Sequence, residues 1–532
     1  MRQSRLVRNV ALVLLGSVVA ASCGGGGTAT GAGSSGTGIE RLTPGGSPDP
    51  NGILRYGVDF PSEFTPNTFD PAQSLNACDK VDEALIYDTL TELSPTGQLE
   101  PGLAQSWDFA PGGYTLTLHL RPGVTFSDGS PVDAAAVKAA ILHNKTSPLR
   151  TSLEVIKSIT VDDPLTLTLN LSSPTPADLL YAFNDLDGMI ADPADLKALA
   201  SHPVGSGPYT LVSASPSEIV LKKNPKYYWN AAAYQPAEID FVQVAEGPPS
   251  IAALEAGSID MTQFEPESLA TVKADSSLGY DLQPSHEYLT ISFRLDTPPV
   301  NNQLVRQAIN YAVNRNEIND VVLAGTGQVT DETFAPDQPV AFDPSVANEY
   351  PYDPAKAKQL LAQAGYPHGI TLSLVIPAGV TLSNREAPLL KNEMAPAGID
   401  VKIVSVDPGS ILTDFYLHKQ NDALTLPYPA EEEYARELYD QFGAKGFTAI
   451  LTGSVQGGTY EHLLIEGQGT LDPATLKPIM QQVTAITTDK ALEVPIAFMD
   501  QMVAWNGARI GGTPVAGGDP CRPVFTGLYV KS

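Results

Sequence analysis

Three features of this sequence predict an α/β or α+β protein of at least two domains. At 532 residues it is longer than one hydrophobic core usually serves. Strand-like alternation and helix-like periodicity follow one another irregularly along it, without a repeat of about 20–50 residues. Its composition, 42% hydrophobic and 17% charged, is that of an ordinary globular chain.

The first residues read as address rather than fold. Arg2, Arg5 and Arg8 precede an apolar run from Val10 to Val19, about half the ~20 residues a membrane-spanning helix needs. The run ends in VVAASC (18–23), which resembles a bacterial lipobox. Residues 1–22 are therefore expected to be a lipoprotein signal peptide, with Cys23 the lipidated first residue of the exported chain; an ordinary secretory signal is the alternative. Ten of the 27 residues from Gly24 to Pro50 are Gly, so residues 23–50 read as a flexible tether. Cys78 and Cys521 remain, and two cysteines in an exported chain suggest one disulfide, with two free thiols as the alternative.

Further along, YTLTLHL (114–120) places Tyr114, Leu116, Leu118 and Leu120 on one face of a half-buried strand. In the continuation to residue 141, Ser130 is the expected helix N-cap, Pro131 the first helical residue and Asp133 a first-turn acid. Val137, Ala140 and Ile141 supply its buried stripe. A second helix is expected in NQLVRQAINYAVNRNEI (302–318), stacking Leu304, Ala308, Tyr311 and Ala312. A third lies in YDPAKAKQLLAQAGYP (352–367), where Asp353 caps, Pro354 starts and Gly365 stops the helix. Its stripe is Ala357, Leu360, Leu361 and Ala364.

Chemistry is harder to find. The net charge of −28 argues against nucleic acid or an anionic lipid surface as the main partner. The seven histidines are scattered, the nearest two being His119 and His143, and no HExxH or CxxC metal motif occurs. GxSxG, GxxxxGK[ST] and GxGxxG are also missing, so neither a catalytic elbow nor a cofactor is expected. HPVGSGPYTL (202–211) is Gly-rich, but Pro208 falls where a phosphate-binding helix would begin.

Six stretches in order resemble one family, the peptide- and nickel-type (family 5) solute-binding proteins of ABC importers. They are GQLEPGLAQSWDF (97–109), YTLTLHLRPGVTFSDGSPVDAAAV (114–137), PVGSGPYTL (203–211), LKKNPKYYW (221–229), PPVNNQLVRQAINYAVNRNEI (298–318) and YPYDPAKAKQLLAQAGYPHGI (350–370). The resemblance implies an α/β, two-lobed Venus-flytrap fold with an extra small subdomain and two hinge-crossing strands, near EYLTISFRL (287–295) and VPIAFMDQMVAW (494–505). Lobe I is expected from 51–93, 203–288 and 501–532, the subdomain from 94–202, and lobe II from 289–500. The implied protein is a monomer outside the cytoplasmic membrane, not an enzyme. It would bind a small organic ligand, foremost a peptide, close on it, and present it to an ABC permease. A regulatory or envelope-associated lipoprotein that keeps the fold without transport is the alternative.

The implied ligand contacts are Asn76, Ala77 and Cys78 in the first cleft loop (73–80), Tyr288, Thr290, Ser292 and Arg294 on the first crossing strand, and Tyr428 and Glu431. Arg294 could hold an anionic group of the ligand or be a structural arginine paired with Asp296. LTLPYPAEEEY (424–434) stands where the family typically carries Trp and an Asp for a peptide's amino terminus, with Glu431 the available carboxylate. The family topology also brings Cys78 and Cys521 into one lobe.

Overall fold

The computed structural model describes residues 41, 45–59, 68–74, 80–94, 99–147, 150–194, 196–229, 231–407, 410–429, 434–455, 458–514 and 524–532. Cys23, Asn76, Ala77, Cys78, Glu431 and Cys521 lie outside these residues, as do the expected signal peptide and the Cys78–Cys521 bridge.

One eleven-stranded mixed sheet runs through the molecule in the order Ile399–Val406, Ile370–Pro377, Ala423–Pro429, Leu278–Phe293, Glu493–Asn506, Met261–Gln263, Ile53–Val58, Glu238–Gln243, Glu218–Lys223 and Tyr209–Ser215, with Gln328–Val329 added against Glu493–Asn506. Its two central members, Leu278–Phe293 and Glu493–Asn506, are also its longest. They pair antiparallel from Leu278 opposite Asn506 to Ser292 opposite Glu493, with register shifts between Pro284 and Tyr288 and between Leu289 and Thr290.

Each half of this ladder belongs to a different core. Val503 and Trp505 pack with Leu54, Tyr56, Ile239 and Phe241 in a first lobe. Leu278, Tyr280, Met502 and Ala504 close the other face of that lobe over Ile251 and Leu254. Leu289, Ile291, Phe293, Val494 and Ile496 instead enter a second-lobe core with Leu372, Leu374 and Leu390. Two strands are thus shared by two bodies, as the two-lobed fold requires.

A separate antiparallel sheet, in the order Ala104–Phe109, Thr115–Leu120, Thr166–Leu171 and Ile156–Asp163, forms the small subdomain with its own core. Leu116, Leu118 and Leu120 are buried in it as their alternation predicts. Tyr114, expected on the same face, is 52% exposed because the strand starts only at Thr115. The following helix begins later than expected, at Ala134, and its N-cap is Asp133, which accepts from the amides of Ala135 and Ala136. Ser130 is drawn into the preceding turn by Asp128, and Pro131 makes a β-bridge with Thr125.

The helix expected over 302–318 is broken into Gln303–Tyr311 and Arg315–Val322. The reason is a competing set of partners. The amide of Asn314 donates to Glu393 Oε2 (2.9 Å), and the carbonyl of Asn310 receives Arg315 Nη1 (3.2 Å). The buried stripe is Val305, Ala308, Ile309 and Ala312, so Leu304 and Tyr311 are only half-buried at its edge. The helix Pro354–Gln363 forms as read, with the Asp353 carboxylate accepting from the Lys356 amide (2.9 Å) and Gly365 in the left-handed region at φ +94°. The glycines of PVGSGPYTL serve close packing. A Cβ on Gly205 would lie 2.1 Å from the carbonyl oxygen of Ile86. Among the described residues, no helix is long and apolar enough to cross a membrane.

Candidate functional site

The shared strands meet the second lobe at a buried carboxyl group. Glu493 stands opposite Ser292, and its side chain accepts from Tyr288 (3.0 and 3.2 Å to its two oxygens), Thr290 Oγ1 (3.0 Å) and Thr333 Oγ1 (2.6 Å). Its backbone carbonyl receives Asn310 Nδ2 (3.1 Å). Burial raises the Glu493 carboxyl above its ordinary value, against the three hydroxyl donors that favour its ionised form. This cluster ties both crossing strands, the loop at Thr333 and the helix Gln303–Tyr311 into one rigid unit.

Arg294, where the first crossing strand ends, is fully buried. Nη1 donates to the carbonyl of Leu451 (2.9 Å), and Nη2 donates to those of Phe415 and Tyr416. The guanidinium lies 5.2 Å from the centre of the Phe415 ring and 3.7 Å from Asp296. Three carbonyls from two short helical segments, Leu412–Leu417 and Phe447–Thr452, therefore converge on it.

Beyond the crossing strands, two ion pairs among the described residues join the lobes. Arg385, on the helix Thr381–Met394, reaches Glu267 of the first lobe at 3.4 Å. Near it, burial raises Glu265 to about 8, and Glu246, Glu287 and Glu267 add to the shift. Gln501 of the second crossing strand donates to Glu287 (3.1 Å). The other pair joins the second lobe to the subdomain. Arg436, on the helix Tyr434–Phe442, lies 3.5 Å from Asp178, on the helix Pro176–Ala182, and 3.2 Å from Asp440. Beside it the amide of Asp178 donates to the carbonyl of Gln468 (3.4 Å). Burial pushes Asp178 up to about 6 and Asp187 up to about 7, while Arg436 pulls both down.

Five of the expected ligand contacts fall among the described residues. Tyr288 and Thr290 are turned to Glu493 and are almost fully buried. Arg294 is turned to backbone carbonyls. Ser292 and Tyr428 are half-buried, and the Tyr428 ring meets Tyr288 edge-on at 6.3 Å. Asn76, Ala77, Cys78 and Glu431 lie outside the described residues. Sequence reasoning missed Glu493, Asp178, Asp187 and Arg436, none of which sits in a motif; their roles come from partners far along the chain. Among the described residues, no group of three or more His, Cys, Asp or Glu is placed to hold a metal ion.

The family model for bacterial extracellular solute-binding proteins, family 5 Middle, matches residues 98–441. The glutathione-binding protein GsiB of Pectobacterium atrosepticum is 30% identical over 359 residues, covering 65% of this chain and 68% of its own length. Among solved structures, AgaA of A. tumefaciens R10 in complex with agropinic acid superposes with a TM-score of 0.79 at 23% identity, covering 90% of this chain and 99% of the other. DppA of Helicobacter pylori in complex with the peptide STSA gives 0.75 at 23% identity, covering 90% and 98%. The last two likenesses are likenesses of fold.

Proposed function

Because this chain belongs to the bacterial extracellular solute-binding proteins of family 5, we propose that it captures a short peptide outside the cytoplasmic membrane and presents it, in a closed form, to an ABC permease. Family 5 proteins are the solute-binding components of ABC importers. The observation that carries the reading is the shared pair of strands: two bodies with separate cores are joined by Leu278–Phe293 and Glu493–Asn506, the arrangement a hinge requires. A ligand touching both lobes binds the closed arrangement better than the open one, and that difference drives closure. The peptide class is supported by the glutathione-binding relative, since glutathione is a tripeptide, and by the peptide-bound neighbour in fold.

Within this reading, Asn76, Ala77, Cys78, Ser292, Tyr428 and Glu431 border the ligand. Tyr288, Thr290 and Arg294 support the hinge from behind, an assignment supported by their burial. Lobe I comprises 51–93, 203–288 and 501–532, the subdomain 94–202 and lobe II 289–500. Cys23 anchors the exported monomer through its lipid, and residues 23–50 are the tether.

Native mass spectrometry of the purified protein and thermal shifts with glutathione, a di- and tripeptide library and nickel–histidine test the ligand class. A binder at 100 times its Kd stabilises the folded protein by about 2.7 kcal/mol. A co-purified peptide, or a shift with one, supports the reading. A response to nickel–histidine alone would replace peptide by chelated metal, and no response to any member would remove the transport reading.

A further inference from the structure

The loop leading to Asn76, Ala77 and Cys78 is held from outside its own lobe. Arg150 of the subdomain is 8% exposed, and it donates Nε and Nη2 to the carbonyl of Pro71 (3.2 and 2.7 Å) and Nη2 to that of Ser74 (2.8 Å). Nearby, His143 Nε2 sits 2.7 Å from Asp70 Oδ1. The same Arg150 Nε also faces Asp187 Oδ1 at 3.4 Å. Asp187 in turn feels the charge of Arg436, which the second lobe inserts beside Asp178. Asp185 and Asp440 are the other charges facing this group.

We propose that Arg150 is a positioning residue for the first cleft loop, and that Asp187 and Arg436 make its hold on that loop depend on docking of the second lobe. Two acids and two arginines share one buried site, and a guanidinium is a rigid fork that cannot face two directions equally well. With Arg436 in place, the charge of Asp178 and Asp187 is balanced from the second lobe, and Arg150 can spend its donors on Pro71 and Ser74. With Arg436 withdrawn, Arg150 is the cation left facing Asp187, at 3.4 Å, and is pulled off the loop carbonyls. The subdomain thereby links lobe closure to the loop that borders the ligand. This purpose rests on the solute-binding reading, but the coupling itself does not.

Hydrogen–deuterium exchange on the unliganded full chain tests it, read on peptides covering residues 69–74, whose Gln73 and Ser74 amides both donate to the Asp70 carbonyl. Arg436→Gln, which leaves in place the Arg150 donors that reach Pro71 and Ser74, is expected to speed their exchange about tenfold, the scale of one lost charge-assisted hydrogen bond. Arg436→Lys, which keeps the charge, is expected to restore the wild-type rate. Arg150→Gln should speed exchange at least as much; if that variant does not fold, the Arg436 pair decides. Wild-type exchange in Arg436→Gln, or equal disturbance by Gln and Lys, overturns the proposal. Because no ligand is present, a failure to find a bound peptide counts against transport alone.

Discussion

The Tyr288 hydroxyl donates to the Glu493 carboxyl at 3.0 Å across 205 positions of sequence, pinning the two crossing strands to each other on the second-lobe side of the hinge. Thr290 and Thr333 complete the set of donors. A hinge needs flexible crossings and stiff anchors, and this cluster is one anchor.

Removing that acceptor should be costly. Glu493→Ala leaves three buried hydroxyls without their partner, at ~1–3 kcal/mol for each that finds no substitute. Chemical denaturation is expected to show a loss of about 3 kcal/mol or more, against about 1 kcal/mol for Tyr288→Phe. A Glu493→Ala protein as stable as the wild type would mean that the cluster does not anchor the hinge.

Arg294→Ala should reduce stability rather than ligand affinity alone. It strands the carbonyls of Leu451, Phe415 and Tyr416 in a buried site, a loss on the order of 3 kcal/mol. A thermal scan checks this directly. An unchanged Tm would return Arg294 to the ligand contacts.

Buried carboxyls make the fold sensitive to alkali. Burial raises Glu386 from 4.5 to about 8; one of its oxygens accepts from Thr425 Oγ1 (2.7 Å) and the other has no hydrogen-bond partner. A folded value above the unfolded one means that folding binds a proton. The resulting stabilisation is complete below about 4.5 and is lost as pH rises through about 8. Glu332 and Asp88, both raised to about 8, act in the same direction. Glu386→Gln should therefore flatten the fall in stability between pH 5 and pH 8.5, by on the order of 1 kcal/mol or more. Parallel curves for variant and wild type would exclude Glu386 as a contributor.

Cys23→Ser should release the protein from the membrane fraction, because one lipidated cysteine is the expected anchor. Retention after salt and carbonate washing would point to another attachment. Fractionation with immunodetection suffices.

Secondary structure was legible in the sequence wherever its cause is local. The helix Pro354–Gln363 forms as read because its cap, its first-turn proline and its terminating glycine all lie within a dozen residues. The alternation of Leu116, Leu118 and Leu120 needed only the pleat of one strand. Family and fold were legible for a related reason: six packing motifs appear in order, each a short local pattern. Where another group competes for the same atoms, whether near or far in sequence, local reading failed. Glu393 captured the amide of Asn314 and ended a helix early, and Asp128 took Ser130 out of its expected cap. The roles of Arg294, Glu493, Arg150 and Arg436 were beyond the sequence, because each is set by partners from segments that only folding brings together. An arginine at a strand end reads as a ligand contact or a structural pin with equal ease. Only the tertiary structure surrounds Arg294 with three carbonyls and buries its side chain, because those carbonyls come from residues 121 to 157 positions away.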